Sequence, residues 1–401
     1  MPGFVSPANI QWTPLQSQIF ASGASVSIQT AGALPTGRQV RRVLFILDID
    51  ITQPGAGMAA QLGIAMYMLI AQIKIARRVS ITGLGLHFLN WLQKGMEPES
   101  PAGFAAGAAA DVRSRRICWS LDYYDETSQK PGDACIPSEL WTDPIEVRFG
   151  TNAIFAATIP TLGNGLLRTY VEHEAASVAS NGKRVTVPPS VNIQSDDFNA
   201  LSAFINKPGA WVYVGIYREP TPYDGGAITS ANISNLIASV DGIPLMNSVR
   251  AQDLCSFYNQ VRAAAPNPQW EGQSDDTAGT SNVTTAPAHL PGSAIHDQPA
   301  VAAAAGQGVT MNFVPVLFPG RNYKVSQLPR AKVGLRVDST GTLGAYKMFY
   351  RLVERRPDQG VGNAARRLGI TNGGFGAKTQ PSPISDDPEL APFLPATVVE
   401  K

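Results

Sequence analysis

The histidines of this sequence are the first residues to consider, because clustered histidines are typical of catalytic metal sites. Such a site needs two or more histidines at the spacing of metal ligands on one helix or strand. No two histidines here have that spacing, since the four are scattered along the chain as His87, His173, His289 and His296. The sequence therefore predicts no metal site and no cofactor.

Two pairs of carboxylates lie in segments where polar and apolar residues alternate, as they do in β-strands. Asp48 and Asp50 would share one strand face; Glu172 and Glu174 would share another, with His173 pointing to the opposite side. A glycosidase needs two carboxyls that flank a cleft, whereas two on one strand are typical of its solvent side. We interpret the first pair as that solvent side and the second as a solvated or intersubunit charge stripe, so the sequence predicts no catalytic residues.

Other motifs give equally little support for chemistry. Residues 373–379 (GGFGAKT) fail the spacing of a phosphate-binding loop, and Pro381 and Pro383 block the helix that would have to follow. Asn232 and Asn282 match the glycosylation pattern, but nothing else suggests secretion. Several arginine groups could face phospholipid headgroups or a packaged genome, although such groups more often form intersubunit salt bridges or stay solvated. These groups are Arg41/Arg42, Arg77/Arg78, Arg113/Arg115/Arg116, Arg355/Arg356 and Arg366/Arg367.

The composition is that of a globular chain with few charges. Of the 401 residues, 16% are charged and 44% hydrophobic, and the formal net charge is +1. Average soluble domains carry about 25% charged residues. Near-neutral charge argues against a sequence-specific nucleic-acid partner, which would need a basic face. Low charge instead suits a surface that is largely covered by copies of the same chain.

Cysteine usage and the apolar segments bear on where the protein is made. Cys118, Cys135 and Cys255 lack metal-ligand spacing and predict buried, reduced thiols in a protein assembled inside a cell. The N-terminus lacks the basic start and apolar core of a signal peptide. The apolar residues 58–73 are interrupted by glycine and glutamine, so we interpret them as a buried strand with an apolar loop rather than a membrane span.

The elements that must position these residues are mostly strands. Residues 43–52 end in strict alternation, which predicts a strand with isoleucines on one face and aspartates on the other. Two segments favour helices, residues 84–93 and 248–264. Because no β-α-β alternation appears, the sequence predicts antiparallel sheets in a sandwich or jelly roll. The other predicted strands are residues 72–75, 79–82, 145–149, 169–174, 211–217, 333–337 and 348–353.

A faint internal repeat predicts two copies of one module. Three landmarks recur at offsets of about 171, 169 and 179 residues, in the pairs Val40/Trp211, Phe88/Phe257 and Tyr170/Phe349. We therefore expect an all-β fold of two consecutive antiparallel jelly-roll (β-sandwich) barrels with few short helices. The barrels would cover residues 40–190 and 205–355, the second with a long surface loop at about 269–308. Proline-broken arms, residues 1–39 and 356–401, would extend over neighbouring surfaces.

Residues 82–95 (TGLGLHFLNWLQKG) resemble a segment of tectivirus-type phage major capsid proteins. In that family a small residue and glycine lead into Leu-His-Phe, here Leu86, His87 and Phe88, before an Asn and a Gln/Lys end. The resemblance extends loosely, in order and length, over residues 40–354. It implies two jelly rolls in one chain, which form pseudohexagonal homotrimers that tile an icosahedral shell around a membrane.

The same resemblance implies the partners and the location of the protein. Its partners would be other copies of the chain in the homotrimer and in neighbouring capsomers, penton or minor capsid proteins, and an internal viral membrane. It would be found in the virion and be assembled in the host cytoplasm. The role would be structural rather than enzymatic.

The alternative is a carbohydrate-binding or receptor-binding β-sandwich spike protein. Such a binding module would show a concave cluster of exposed tryptophan and tyrosine. The tryptophans are instead dispersed along the sequence, as Trp12, Trp91, Trp119, Trp141, Trp211 and Trp270. The exposure of these side chains discriminates between the two functions.

Overall fold

The computed structural model describes part of one compact unit, which spans residues 1–354. The described residues are 9–52, 64–76, 78–94, 112–124, 135–155, 160–175, 191–197, 202–205, 211–223, 228–229, 233, 235–240, 243–251, 253–254, 310–311, 313–316, 333–338 and 345–353. The predicted surface loop at 269–308 and the predicted C-terminal arm, residues 356–401, lie outside them.

Strands dominate the described residues. The α-helix α1 runs over Gly83–Lys94, and short 3₁₀ helices cover Ile64–Leu69, Ser138–Leu140 and Asn152–Ile154. The strands are β1 (Gln11–Pro14), β2 (Gln18–Ile19), β3 (Ser25–Ile28), β4 (Arg38–Thr52), β5 (Ile70–Ile75), β6 (Val79–Ile81), β7 (Val112–Asp122), β8 (Ile136–Pro137), β9 (Ile145–Phe149), β10 (Thr161–Ala175), β11 (Val191–Asp197), β12 (Ser202–Ile205), β13 (Trp211–Arg218), β14 (Ile228–Thr229), β15 (Asn235–Val240), β16 (Ile243–Arg250), β17 (Thr310–Met311), β18 (Phe313–Pro315), β19 (Val333–Asp338) and β20 (Tyr346–Val353). The all-β class with few short helices is confirmed.

The first sheet is built on two fifteen-residue strands, β4 and β10, which pair antiparallel from Thr52↔Thr161 to Arg38↔Ala175. Strand β7 flanks β4, while β1 and β2 flank β10. From Val43 to Ile51, alternate β4 residues are buried and those between them are half-exposed. The predicted alternation is therefore confirmed, because a strand turns successive side chains to opposite faces.

The second sheet joins the two halves of the chain. Its eight strands follow the order β18-β13-β20-β11-β6-β5-β9-β3, so strands from both halves lie in one continuous sheet. Strand β11 makes the connection, since it pairs antiparallel with β20 and parallel with β6 through Ile193↔Val79 and Gln194↔Ser80. Every other pairing between the described strands is antiparallel, as expected from the sequence. The remaining second-half strands form the sheet β12-β19-β15-β16 and the ribbon β14-β17.

Helix α1 is buried from Gly83 to Leu92 and lies against the edge of β7 that faces away from β4, where no described strand pairs with β7. The Asn90 side chain pairs with this edge as a neighbouring strand would: Nδ2 donates to the Ser120 carbonyl at 2.7 Å, and the Ser120 N–H donates to Oδ1 at 3.0 Å. The Trp119 indole donates to the Gly83 carbonyl at 2.9 Å. A Cβ at Gly83 would lie 2.2 Å from the Tyr67 carbonyl oxygen, so the close approach at the start of the helix requires glycine.

The N-terminal segment differs from the predicted arm. Strands β1 and β2 pair with β10, and β3 pairs with β9, so residues 11–28 contribute to the two large sheets instead of extending away from them. Absence of charge and frequent proline indicated an extended chain, which is correct. They carried no information on which strand the extended chain would pair with.

Two further predicted elements differ from the structure in their bounds or type. The helix predicted over 248–264 begins later, because β16 continues to Arg250 and helical residues start at Ala251; residues 255–264 lie outside the described part. The apolar stretch predicted as a buried strand with a loop contains the buried 3₁₀ helix Ile64–Leu69 and the start of β5.

The edge contact of α1 gives a first test. Asn90→Leu should lower the free energy of unfolding by about 2–4 kcal/mol, because the Ser120 N–H and carbonyl each lose their partner and a buried unsatisfied group costs about 1–3 kcal/mol. Denaturant unfolding of the purified chain measures the change. The neighbouring Leu89→Met is the control, since it conserves apolar volume and should cost less than about 1.5 kcal/mol. Equal losses in both variants would contradict the edge role of Asn90.

Candidate functional site

Asp48 and Asp50 lie on the half-exposed face of β4, as predicted. Asp48 accepts hydrogen bonds from Arg116 Nε at 2.7 Å and Nη2 at 3.3 Å, and it also pairs with Arg168 from β10. Asp50 accepts a hydrogen bond from the Ser114 hydroxyl on β7. The two carboxylates are thus bound by cross-strand partners on an open sheet face.

The pair Glu172 and Glu174 is buried, which differs from the predicted solvated stripe. A β-bulge causes this: β10 residues 172 and 173 pair with Arg42 and Val40, so Arg41 is the extra residue. Arg41 Nε donates to Glu172 at 3.0 Å, and the guanidinium also pairs with Glu174. These side chains are less than 10% exposed.

Two more contacts complete this buried cluster. The Tyr124 ring centroid lies 3.7 Å from Arg41 Cζ, so the guanidinium is covered by an aromatic face. The neighbouring Arg42 pairs through Nε with Asp122 at 3.1 Å. Both arginines therefore compensate the acidic residues within one chain, and the predicted intersubunit stripe is an intrachain ion-pair cluster in this structure.

His173 has partners separate from those of the glutamates beside it. Its Nδ1 accepts a hydrogen bond from Arg38 Nε at 2.9 Å, and its Nε2 lies 2.8 Å from the Thr13 hydroxyl. Because Nδ1 accepts, the ring proton is on Nε2 and is donated to Thr13. Arg38 Nη2 also donates to the Asn9 carbonyl at 2.8 Å. His173 thus fixes the N-terminal strand β1 to the first sheet.

His87, the histidine of the capsid-like segment, belongs to the core. It is fully buried, and its ring centroid lies 3.9 Å from that of Tyr67 and 6.0 Å from that of Trp91. The neighbouring Phe88 contacts Tyr217 and Phe313, at centroid distances of 5.6 and 5.5 Å. The segment therefore packs the helix of the first half against strands of the second half.

Polar contacts follow the same junction between the halves. Thr82 caps α1 by accepting the Gly85 N–H at 3.0 Å. The same hydroxyl lies 2.9 Å from the Tyr217 hydroxyl and donates to Glu219 at 3.0 Å. Lys347 of β20 pairs with Glu219 at 3.2 Å. One hydrogen-bond network therefore ties the start of the helix to two strands of the other half.

Arg351 of β20 closes the junction from the second half, and nothing in the sequence pattern distinguished it. This arginine is fully buried. It donates through Nε to the Asp122 carbonyl at 3.1 Å and through Nη2 to the Tyr123 carbonyl at 3.0 Å. It thus satisfies backbone acceptors at the end of β7, next to the edge that Asn90 covers.

The described residues contain neither a metal-binding cluster nor a membrane-spanning helix. Among them, no group of three or more histidine, cysteine or acidic residues could hold a metal ion. None of their helices has the length and apolarity needed to cross a membrane. Several residues considered in the sequence lie outside the described part of the chain, namely His289, His296, Cys255, Arg77, Asn232, Asn282, the four arginines of residues 355–367 and residues 373–379.

Solved structures that are similar to this chain come from viruses. The Sulfolobus turreted icosahedral virus structure matches with a TM-score of 0.50 at 14% identity, covering 86% of this chain and 90% of that one. The major capsid protein of the same virus, solved as a crystal structure, matches with a TM-score of 0.48 at 14% identity over 86% and 95% of the two chains. These are double jelly-roll viral major capsid proteins. The chain has the double jelly-roll fold.

A second double jelly-roll protein extends the comparison to a bacteriophage. The major capsid protein P2 of bacteriophage PM2 matches with a TM-score of 0.43 at 13% identity, covering 87% of this chain and 99% of that one. No protein-family model and no curated protein matches the sequence. The likeness is therefore one of fold.

The two ion-pair groups of the first sheet should differ in their effect on stability. Arg41→Met should lower the free energy of unfolding by about 3–5 kcal/mol, because it leaves Glu174 buried without a cation and leaves Glu172 with only the longer contact to Arg42 at 3.8 Å. The matched change Arg116→Met removes an exposed partner of Asp48 and should cost about 0–1 kcal/mol. Denaturant unfolding of both variants tests the contrast. Similar losses of stability in the two variants would contradict the larger stabilising role assigned to Arg41.

The environment of His173 makes stability depend on pH. Burial, followed by the positive charge of Arg38, lowers the pKa of His173. A histidine with a lowered pKa binds protons more weakly when folded, so its contribution is present above the ordinary pKa of about 6.5 and is lost as pH falls. We expect the thermal midpoint of wild type to drop more than that of His173→Gln between neutral pH and pH below 6. Parallel pH profiles for the two proteins would contradict this.

Proposed function

We propose that this chain is the major capsid protein of an icosahedral virus, three copies of which form a pseudohexagonal capsomer. The observation that carries the proposal is the fusion of two jelly rolls through one continuous sheet and one shared helix. Two barrels in fixed relation supply two sides of a hexagonal footprint. Three such subunits tile a surface where six single barrels would otherwise be needed.

The proposal extends to the partners of the protein and its place in the virus. Neighbouring capsomers, penton proteins and minor capsid proteins would contact the outer surfaces of the trimer. On the basis of the resemblance of residues 82–95, we include in the proposal a shell that encloses a membrane, with assembly in the host cytoplasm and the virion as the final location.

The roles of the candidate chemical residues support a structural function. Asp48 is held by two arginines, and Glu172 and Glu174 are held by Arg41. His173 is engaged by Thr13 and Arg38. Each group thus stabilises a cross-strand or strand-end contact, and we assign no catalytic residue to the protein.

The tryptophans favour a shell subunit over a carbohydrate-binding or receptor-binding spike. Trp91, Trp119 and Trp141 are at most 3% exposed, whereas Trp12 is 47% exposed. A sugar platform needs several exposed aromatic rings side by side. Among the tryptophans whose side chains are described, Trp12 alone could serve such a platform.

Light scattering and negative-stain microscopy of the purified full chain test the proposed function. We expect a particle of three 42.6 kDa chains at micromolar concentration and neutral pH, with a six-cornered outline in projection. A chain that stays monomeric at every protein concentration tested, from dilute to concentrated, would contradict the proposal. Binding to a glycan array by the monomer would favour the spike function instead.

A further inference from the structure

The N-terminal strand β1 joins the first sheet without burying a side chain. Every side chain of residues 9–14 is exposed or half-buried, so this segment adds little hydrophobic stabilisation and depends on its hydrogen bonds. The next residue, Leu15, is buried, and its N–H donates to the Thr169 carbonyl at 2.8 Å. We propose that residues 9–14 detach from the first sheet when His173 is protonated, while the chain from Leu15 onward stays in place.

Three side chains, those of Thr13, Arg38 and His173, hold this strand and are named here the β1 latch. The Thr13 hydroxyl lies 2.8 Å from His173 Nε2, and His173 Nδ1 accepts a hydrogen bond from Arg38 Nε at 2.9 Å. Arg38 Nη2 in turn donates to the Asn9 carbonyl at 2.8 Å and to the His173 carbonyl at 3.3 Å. The neutral ring therefore positions a guanidinium that binds the N-terminal end of the strand.

Protonation of the ring is incompatible with this geometry. An imidazolium donates from both nitrogens, so Nδ1 of His173 can no longer accept from Arg38. Two positive charges would also meet at a buried site, where like charges repel more strongly than in water. Arg38 then has to move away from the ring, and its hydrogen bond to the Asn9 carbonyl is lost with it.

The two glutamates beside His173 in β10 are already paired with another residue. Arg41 Nε donates to Glu172 at 3.0 Å, and the same guanidinium pairs with Glu174. His173 forms no hydrogen bond or ion pair with either carboxylate in this part of the structure. They therefore do not replace Arg38 as the partner of the ring.

The elements around His173 supply no other titratable partner among the described residues. Strand β1 (Gln11–Pro14) has no titratable side chain, and β4 places Val40 directly opposite His173. Strand β8, which pairs with β4 here, has none either. Glu139 binds a backbone N–H before β4 at 2.7 Å. Burial, followed by the positive charge of Arg38, accordingly lowers the pKa of His173.

The lowered pKa sets the direction of the switch. The unperturbed pKa of histidine is about 6.5. A lower pKa in the attached form means that attachment is fully favoured above this pH and is weakened as the pH falls through the lowered value. Strand β1 is thus attached at neutral pH and released in weak acid. Strand β4 buries alternate residues from Val43 to Ile51, so the sheet behind the latch has its own core contacts.

Release would present an unpaired strand edge. Residues 170–173 of β10 lose their partner, and an exposed edge is a template for pairing with another chain. The switch belongs to the single chain and holds whether or not the chain forms capsomers. In a shell it would make contacts near β1 depend on pH.

Hydrogen–deuterium exchange of the full chain, followed by mass spectrometry, tests the switch. Peptides covering residues 9–14 are compared at neutral pH and at pH about 5, on the two sides of the ordinary histidine pKa, with correction for the intrinsic pH dependence of exchange. We expect their protection to fall about tenfold or more in acid. Peptides from residues 43–52 of β4 should keep theirs.

His173→Gln is the matched variant. Its side-chain oxygen can accept from Arg38 and its amide can donate to Thr13, but it does not titrate. We expect residues 9–14 to be equally protected at both pH values in this variant. Thr13→Val removes one contact of the latch without removing the titrating group, so it should lower protection at neutral pH and retain a further loss in acid.

If glutamine is too short to hold the strand at neutral pH, Arg38→Gln decides. This variant removes the cation that opposes protonation, so the difference in protection between the two pH values should shrink relative to wild type. An undiminished difference in Arg38→Gln, or the same acid loss in His173→Gln as in wild type, would overturn the proposal. Wild-type protection that does not change with pH, or a parallel loss in β4, would overturn it as well.

Discussion

The structure depends on how the backbone groups along the buried outer edge of β7 find hydrogen-bond partners. A strand edge presents backbone N–H and carbonyl groups, and burying them without partners is costly. Another strand would satisfy these groups, but it would also extend the sheet. Here Asn90 supplies one donor and one acceptor from a helix, and Arg351 supplies two donors from the second half. The first sheet can therefore end at β7, next to the strands of the second half, without leaving these backbone groups unpaired.

This way of ending β7 links the two jelly rolls. Asn90 belongs to the first half and Arg351 to the second, so the same edge is complete only when both halves are folded. The parallel pairing of β6 with β11 and the Thr82–Tyr217–Glu219 network act at the same junction. Such a junction fixes the position of one barrel relative to the other. That property suits a tile that must meet neighbours on several sides at fixed angles.

The sequence was sufficient to predict elements whose signals are local. Alternation over residues 43–52 identified most of β4, and the pattern of residues 84–93 identified most of α1, because both patterns depend on neighbours within a few residues. It was not sufficient for Arg41 or Arg351, whose partners lie 131 and 229 residues away. The bulge at Arg41 arises from the register between two long strands, so Glu172 and Glu174 resemble a solvated stripe until that register is known. Residues 11–28 were misassigned to an arm for the same reason.

The distribution of charge connects these structural features to the proposed assembly. The chain has only 16% charged residues and a formal net charge of +1, and the ion pairs of the first sheet compensate charges within one chain. In a shell, any net charge on a subunit is multiplied by the number of copies, and the resulting repulsion opposes close packing. Asp48 is held by Arg116 and Arg168, and Arg42 is held by Asp122, so these charged side chains of the first sheet have partners within one chain. An ion whose partner lies in the same chain is not left unpaired when a neighbouring copy covers it, so the same ion pairs can fix the strands of the first sheet before and after assembly.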